Sequence, residues 1–126
     1  MRLLLDTHVF LWSIKGDRRL SRALKAKISQ ATDVYVSSAS IWESAIKIKL
    51  KKLDADIHEM IEAIPASGFL ELPITSYHAA AVLRLPELHR DPFDRILIAQ
   101  AISEPLTFLT ADSILKNYSE LVEIIN

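Results

Sequence analysis

Four carboxylate side chains stand at comparable places along the sequence, each shortly after a short apolar run. Asp6 and Asp112 follow such runs almost directly, whereas Glu43 and Asp94 lie near the start of the helix that comes next. If the apolar runs are parallel strands, the four carboxylates meet at one edge of a sheet, where their mutual repulsion requires cations. Oxygen ligands select hard ions such as Mg²⁺ or Mn²⁺, and these ions activate water against phosphodiesters. The pattern therefore predicts metal-dependent phosphoester hydrolysis.

Each acid also has a structural explanation when it is considered alone. Asp6 and Asp112 could each cap a helix, because aspartate accepts hydrogen bonds from the first free amides of a helix. Glu43 stands three residues after a serine, which is the spacing of a capping box and the favoured interpretation of Glu43 by itself. Asp91 precedes a proline and fits the cap of the next helix, which leaves Asp94 without a capping role. The four positions together, and none of them alone, therefore indicate a metal site.

Short apolar runs alternate with segments of helical periodicity, which predicts an α/β fold. The predicted strands are 2–5, 34–36, 69–72 and 106–109, with 121–125 as a weaker fifth. The predicted helices are 20–31, 39–50, 57–64, 76–85 and 93–103, and a further helix begins near Val9. Right-handed crossovers between such elements give a mainly parallel sheet of four to five strands with helices on both faces. We expect a single domain over residues 1–126.

The composition excludes several kinds of chemistry. The chain of 126 residues has no cysteine and only two separate glycines, which rules out disulfides, thiolate catalysis and glycine-rich phosphate loops. The N-terminal segment lacks the apolar core and cleavage site of a secretory signal, and no run approaches the roughly 18 apolar residues of a membrane span. We therefore expect a cytoplasmic protein without a membrane partner.

The formal net charge of −1 hides a strong division between the two parts of the chain. Residues 1–53 carry 11 Lys and Arg against 4 Asp and Glu, whereas residues 54–126 carry 4 against 12. Basic side chains contact nucleic-acid phosphates without reading the base sequence, and a solvated helix face is the alternative interpretation. The stronger candidates for nucleic-acid binding are Lys47, Lys49, Lys51 and Lys52. The weaker group is Lys15, Arg18, Arg19, Arg22, Lys25 and Lys27.

One further basic residue and three aromatic residues are candidates for substrate contacts. Arg95 stands beside Asp94, where it could clamp a phosphate or pair with a carboxylate. Trp12, Tyr35 and Trp42 could stack on the bases of a single strand. A position in the core or at an interface is the favoured interpretation of these three aromatic residues.

Four segments of the chain carry a family resemblance. They are LLLDTH at 3–8, SASIWE at 38–43, DPFDRILIAQA at 91–101 and LTAD at 109–112. In this order and spacing they resemble the PIN-domain nucleases, and more closely the VapC-type toxins of bacterial and archaeal toxin–antitoxin systems. The resemblance covers essentially the whole chain.

The resemblance implies a PIN-like three-layer fold and an endoribonuclease that depends on Mg²⁺ or Mn²⁺. The implied metal ligands are Asp6, Glu43, Asp94 and Asp112. Asp91 is kept as an alternative residue that would contact the metal ligands without binding the ion itself. Thr110 matches a small hydroxyl residue that could orient a water or a carboxylate. Arg95 is kept as an accessory residue. The resemblance also implies RNA as the substrate, a homodimer, and a cognate antitoxin whose C-terminal segment covers the acidic groove.

Two other functional classes are compatible with parts of the pattern. A catalytically idle PIN-fold module would bind RNA or a protein without turnover. Receiver-like and phosphatase-like α/β domains also place an aspartate after the first strand. In this chain, however, His8 stands where a D-x-D-x-T motif requires a second aspartate, and a lysine at the end of a late strand is missing. The nuclease is therefore the favoured prediction.

Overall fold

A five-stranded, entirely parallel sheet forms the centre of the protein. The structure is a computed structural model, and it describes residues 1–87 and 91–125. The strands are β1 (Arg2–Leu5), β2 (Asp33–Ser37), β3 (Leu70–Leu72), β4 (Thr107–Thr110) and β5 (Val122–Ile124). They lie in the order β3-β2-β1-β4-β5, so β1 occupies the middle of the sheet.

Helices connect the strands and flank the sheet. They are α1 (Thr7–Lys15), α2 (Arg22–Gln30), α3 (Ser38–Lys49), α4 (Ile57–Ala66), α5 (Ser76–Ala81) and α6 (Pro92–Ser103). Two short 3₁₀ helices, Val82–Arg84 and Ser113–Tyr118, follow α5 and β4. Within the described parts of the chain, none of these helices is long and apolar enough to cross a membrane.

The central strand β1 is apolar on both sides because both of its faces are covered. Leu4 packs into one core cluster, whereas Leu3 and Leu5 pack into the other, and all three side chains are fully buried. Such a continuous apolar run is typical of a strand in the middle of a parallel sheet. The chain runs from β1 outward to β2 and β3 on one side and then crosses over to β4 on the other side of β1, so the strand order reverses beside β1. The carboxyl end of β1 therefore lies where ligands bind in open α/β sheets.

The structure confirms the predicted α/β fold, the parallel sheet and its five strands. The helix expected near Val9 begins at Thr7, and the helix expected over 76–85 ends as an α-helix at Ala81 and continues as a 3₁₀ turn. The capping-box interpretation of Glu43 is wrong. Helix α3 starts directly after β2 with Ser37 as its cap, which places Glu43 in the second turn.

Candidate metal centre

Asp6 lies at the carboxyl end of β1 and is only 4% exposed. Its Oδ2 atom accepts a hydrogen bond of 2.5 Å from Thr110 Oγ1, which stands at the end of the neighbouring strand β4. Its Oδ1 atom accepts a longer bond of 3.4 Å from the backbone N–H of His8 at the start of α1. The helix-cap interpretation of Asp6 is thus confirmed, and Thr110 holds the same carboxylate from the other side.

The ionised form of Asp6 is disfavoured in this environment. Burial raises the pKa of Asp6 above its usual value of 3.8, because a carboxylate loses its hydration inside the protein. The hydrogen bond from Thr110 and the neighbouring His8 lower the pKa, whereas the negative charge of Glu43 raises it further. A cation at this position would reverse the balance and favour the carboxylate.

We expect the stability of the metal-free protein to fall as the pH rises through the raised pKa of Asp6. Between the usual value of 3.8 and the raised one, the folded chain binds more protons than the unfolded chain, so raising the pH favours unfolding. Asp6→Asn should remove this pH dependence and should be more stable than the wild type at neutral pH. Thermal unfolding in chelator at several pH values tests this. A variant that melts below the wild type at neutral pH would contradict the prediction.

Glu43 is the second buried carboxylate of the site, at 7% exposure. It projects from the second turn of α3, and its charge acts directly on Asp6. Its Oε2 atom lies 3.0 Å from Nζ of Lys47, one helical turn later. The only ion pair shown for Glu43 among the described residues is therefore formed by a lysine that the sequence assigned to nucleic-acid binding.

The other acidic residues differ in exposure and role. Asp91 caps α6 by accepting hydrogen bonds from the backbone N–H groups of Phe93 and Asp94, at 2.9 Å and 3.4 Å. Asp94 lies in the first turn of α6 and is half-buried. Asp112 is exposed and caps the 3₁₀ helix that follows β4, as its capping interpretation predicts, while its backbone N–H donates to Thr110 Oγ1 at 3.0 Å.

These positions determine how far the residues fit a divalent cation. Within residues 1–87 and 91–125, no three His, Asp or Glu side chains are arranged as a group that could hold a metal ion. Asp6 and Glu43 interact through their charges, whereas Asp94 and Asp112 do not complete a group with them. Two buried carboxylates whose charges interact still suit Mg²⁺, which binds through one or two carboxylates and keeps several waters. The donor set of the pair consists of oxygen alone, as a hard cation requires.

Arg95 has a structural role, because it joins α6 to neighbouring segments of the chain. Its guanidinium donates hydrogen bonds to the carbonyl oxygens of Pro86 and Val82, at 2.8 Å and 3.4 Å, and to the hydroxyl of Tyr118 at 3.4 Å. These bonds tie the segment after α5 to α6. The contacts with main-chain oxygens were not predicted from the sequence, which suggested a phosphate or a carboxylate as the partner of Arg95.

Three of the lysine candidates and one of the tryptophan candidates lie on the surface. Lys49, Lys51 and Lys52 are exposed, which suits both the solvated face and the phosphate contact. Trp42 is 60% exposed, so a core position is wrong for it, and its ring packs edge-on against Phe93 at 5.1 Å between centroids. The interface interpretation of Trp42 stays a prediction.

Two hydroxyl residues beside the acids were not predicted as part of the site. Thr7 follows Asp6 directly, Ser40 precedes Glu43 by three residues, and their side chains are hydrogen-bonded to each other in the interior. The available signal was the presence of a small hydroxyl residue near each acid. Sequence spacing does not show that residues so far apart in the chain meet.

Comparison with known proteins places the chain in a known class. The sequence matches the PIN domain family over residues 3–121, and the chain belongs to that family. Among characterised proteins it is similar to the ribonuclease VapC22 of Mycobacterium tuberculosis, with 29% identity over 125 residues. The match covers 92% of this chain and 91% of VapC22. The resemblance to VapC-type proteins is thereby confirmed.

Solved structures share the fold at lower sequence identity. VapBC2 from Rickettsia felis, bound to a DNA fragment from the promoter, superposes with a TM-score of 0.72 at 15% identity, covering 97% of this chain and 96% of that one. FitAcB from Neisseria gonorrhoeae gives a TM-score of 0.69 at 21% identity over 98% of this chain and 96% of that one. At such identities the likeness establishes the three-layer fold.

Proposed function

We propose that this chain is a metal-dependent endoribonuclease that acts as the toxin of a toxin–antitoxin pair. The observation that carries the proposal is the buried Asp6 at the carboxyl end of the central strand, whose pKa is raised by burial and by the charge of Glu43, a second buried carboxylate. Membership of the PIN family and similarity to a ribonuclease support RNA as the substrate.

The residues of this chain have distinct tasks in the proposed reaction. Mg²⁺ or Mn²⁺, when bound, supplies an activated water and stabilises negative charge on the phosphate. Asp6 and Glu43 would hold the cation. We propose Asp94 and Asp112 as further ligands, although they do not form a group with the pair in the structure. Thr110 keeps the Asp6 carboxylate in one orientation by donating to Oδ2.

The substrate is held by charges outside the acidic pair. Lys49, Lys51 and Lys52 lie exposed at the end of α3 and just beyond it, where they can contact phosphates. Lys47 is a weaker candidate because it already pairs with Glu43. The partners that we propose are RNA, a second copy of the chain and a cognate antitoxin. A solved structure that shares the fold, from Klebsiella pneumoniae, is a toxin–antitoxin complex. The cytoplasm is the proposed compartment.

Cleavage of RNA by the purified wild-type protein tests the proposal. We expect RNA to be cut in Mg²⁺ or Mn²⁺ and to remain intact in excess chelator, because the two carboxylates contribute to cleavage by binding a divalent cation. Single-stranded DNA of the same base sequence is the control for substrate class. RNA that binds but stays intact in both metals would contradict the proposal and favour the idle binding module.

A further inference from the structure

A buried hydrogen bond joins α1, which Asp6 caps, to α3, which contains Glu43. Thr7 Oγ1 and Ser40 Oγ lie 2.8 Å apart, and the two residues are 2% and 0% exposed. Thr7 is the first residue of α1 and follows Asp6 directly, whereas Ser40 lies in the first turn of α3, nearly one turn before Glu43. The bond therefore spans the two helices next to both acids.

The contact between α1 and α3 at this point is made by two buried hydroxyl groups. Burying two hydroxyl groups is costly unless they satisfy each other, and two apolar side chains would join the helices without that cost. A hydrogen bond, however, fixes distance and direction more narrowly than an apolar contact does. Precise separation is what a pair of metal-binding carboxylates requires, because Mg²⁺ demands nearly ideal geometry.

The other side-chain hydrogen bonds described beside the acids do not join α1 to α3. Thr110 already holds the Asp6 carboxylate from β4. Ser44 Oγ donates to the carbonyl oxygen of Ser40 at 2.8 Å, but this bond lies within α3 and does not reach α1. The Thr7–Ser40 bond is thus the side-chain hydrogen bond, among those of the described residues, that links α1 to α3 beside the acids.

We propose that Thr7 and Ser40 are positioning residues whose hydrogen bond sets the separation of the Asp6 and Glu43 carboxylates for a divalent cation. This inference rests on the proposed function, since it assumes that the acidic pair binds metal. Loss of the bond allows α1 and α3 to shift relative to each other. The cation then binds carboxylates whose spacing is no longer fixed in advance, and its affinity falls.

Direct binding of Mn²⁺ to the intact protein, measured by calorimetry and by electron paramagnetic resonance, tests the inference without relying on activity. Thr7→Val keeps the side-chain shape and removes the hydroxyl, and we expect it to weaken Mn²⁺ binding by about tenfold, the scale found for residues that orient metal ligands. Ser40→Ala should have a similar effect. The double variant should lose no more than either single variant, because the same bond is broken once.

Two further variants separate positioning from general stability. Thr7→Ser retains the hydroxyl and should bind Mn²⁺ as the wild type does, whereas Ser44→Ala removes a buried hydroxyl from the same helix and should leave the affinity unchanged. Equal affinity of Thr7→Val and wild type, additive losses in the double variant, or an equal loss in Ser44→Ala would each overturn the inference. A wild-type protein that binds no Mn²⁺ would overturn the proposed metal site itself, and this inference with it.

Discussion

Asp6→Asn should lower kcat/KM for RNA cleavage by about 10³-fold, equivalent to about 4 kcal/mol of transition-state stabilisation. Asparagine has nearly the same shape as aspartate, and its single amide oxygen can still accept the short hydrogen bond from Thr110. The longer cap bond of 3.4 Å from the His8 N–H, which Asp6 accepts on its other oxygen, is lost. It cannot supply the negative charge that attracts a divalent cation beside Glu43. We therefore expect the variant to lose catalysis and to remain folded. Single-turnover cleavage of one RNA measures the first quantity, and thermal unfolding measures the second.

Asp56→Asn is the matched control for this substitution. Asp56 also caps a helix, α4, where its carboxylate accepts from the backbone N–H groups of His58 and Glu59, but it is exposed. The control should cleave RNA at the wild-type rate. Comparable rates for Asp6→Asn and wild type would show that the buried carboxylate of Asp6 does not take part in the reaction.

Lys47→Met should lower the free energy of unfolding of the metal-free protein by about 2 kcal/mol, less than the cost of breaking a fully buried pair because Lys47 is partly exposed. Methionine preserves the aliphatic part of the side chain and removes the charge 3.0 Å from Glu43. Glu43 is then left buried beside Asp6 without its lysine. Because a divalent cation can neutralise both carboxylates, saturating Mn²⁺ should restore most of the lost stability.

Lys49→Met is the control, since Lys49 lies two residues further along α3 and is exposed. It should change the unfolding temperature little, with or without Mn²⁺. If the two variants melt alike in chelator, the Glu43–Lys47 pair contributes nothing measurable to stability. If Mn²⁺ stabilises Lys47→Met no more than the wild type, Lys47 does not substitute for the cation at Glu43.

The order of strands and helices could be predicted because each element has a local signal. The run Leu3 to Leu5 is apolar without alternation, which is the pattern of a strand covered on both faces, and an acid ends it. Asp91 followed by proline marks the beginning of α6, where the structure has the cap. These signals depend on neighbours within one or two turns of the chain.

The interpretation of Glu43 shows where local signals fail. Ser40 stands three residues before Glu43, which is the spacing of a capping box. However, β2 leads directly into α3, and the helix is capped by Ser37 and not by Ser40. The start of a helix is decided by where the preceding strand ends. Strand length in turn depends on pairing with β1 and β3, which are distant in sequence.

The sequence by itself determined the alternation of strands and helices, the acidic residues near the strand ends, and carboxylate chemistry as the available kind. Only the tertiary structure decided that Asp6 and Glu43 form the buried pair, that Lys47 neutralises Glu43, and that Thr7 meets Ser40. The physical reason is that periodicity and capping are properties of adjacent residues. By contrast, packing between segments far apart in the chain decides the order of the strands and the rotation of each helix about its axis. This packing determines which side chains face one another.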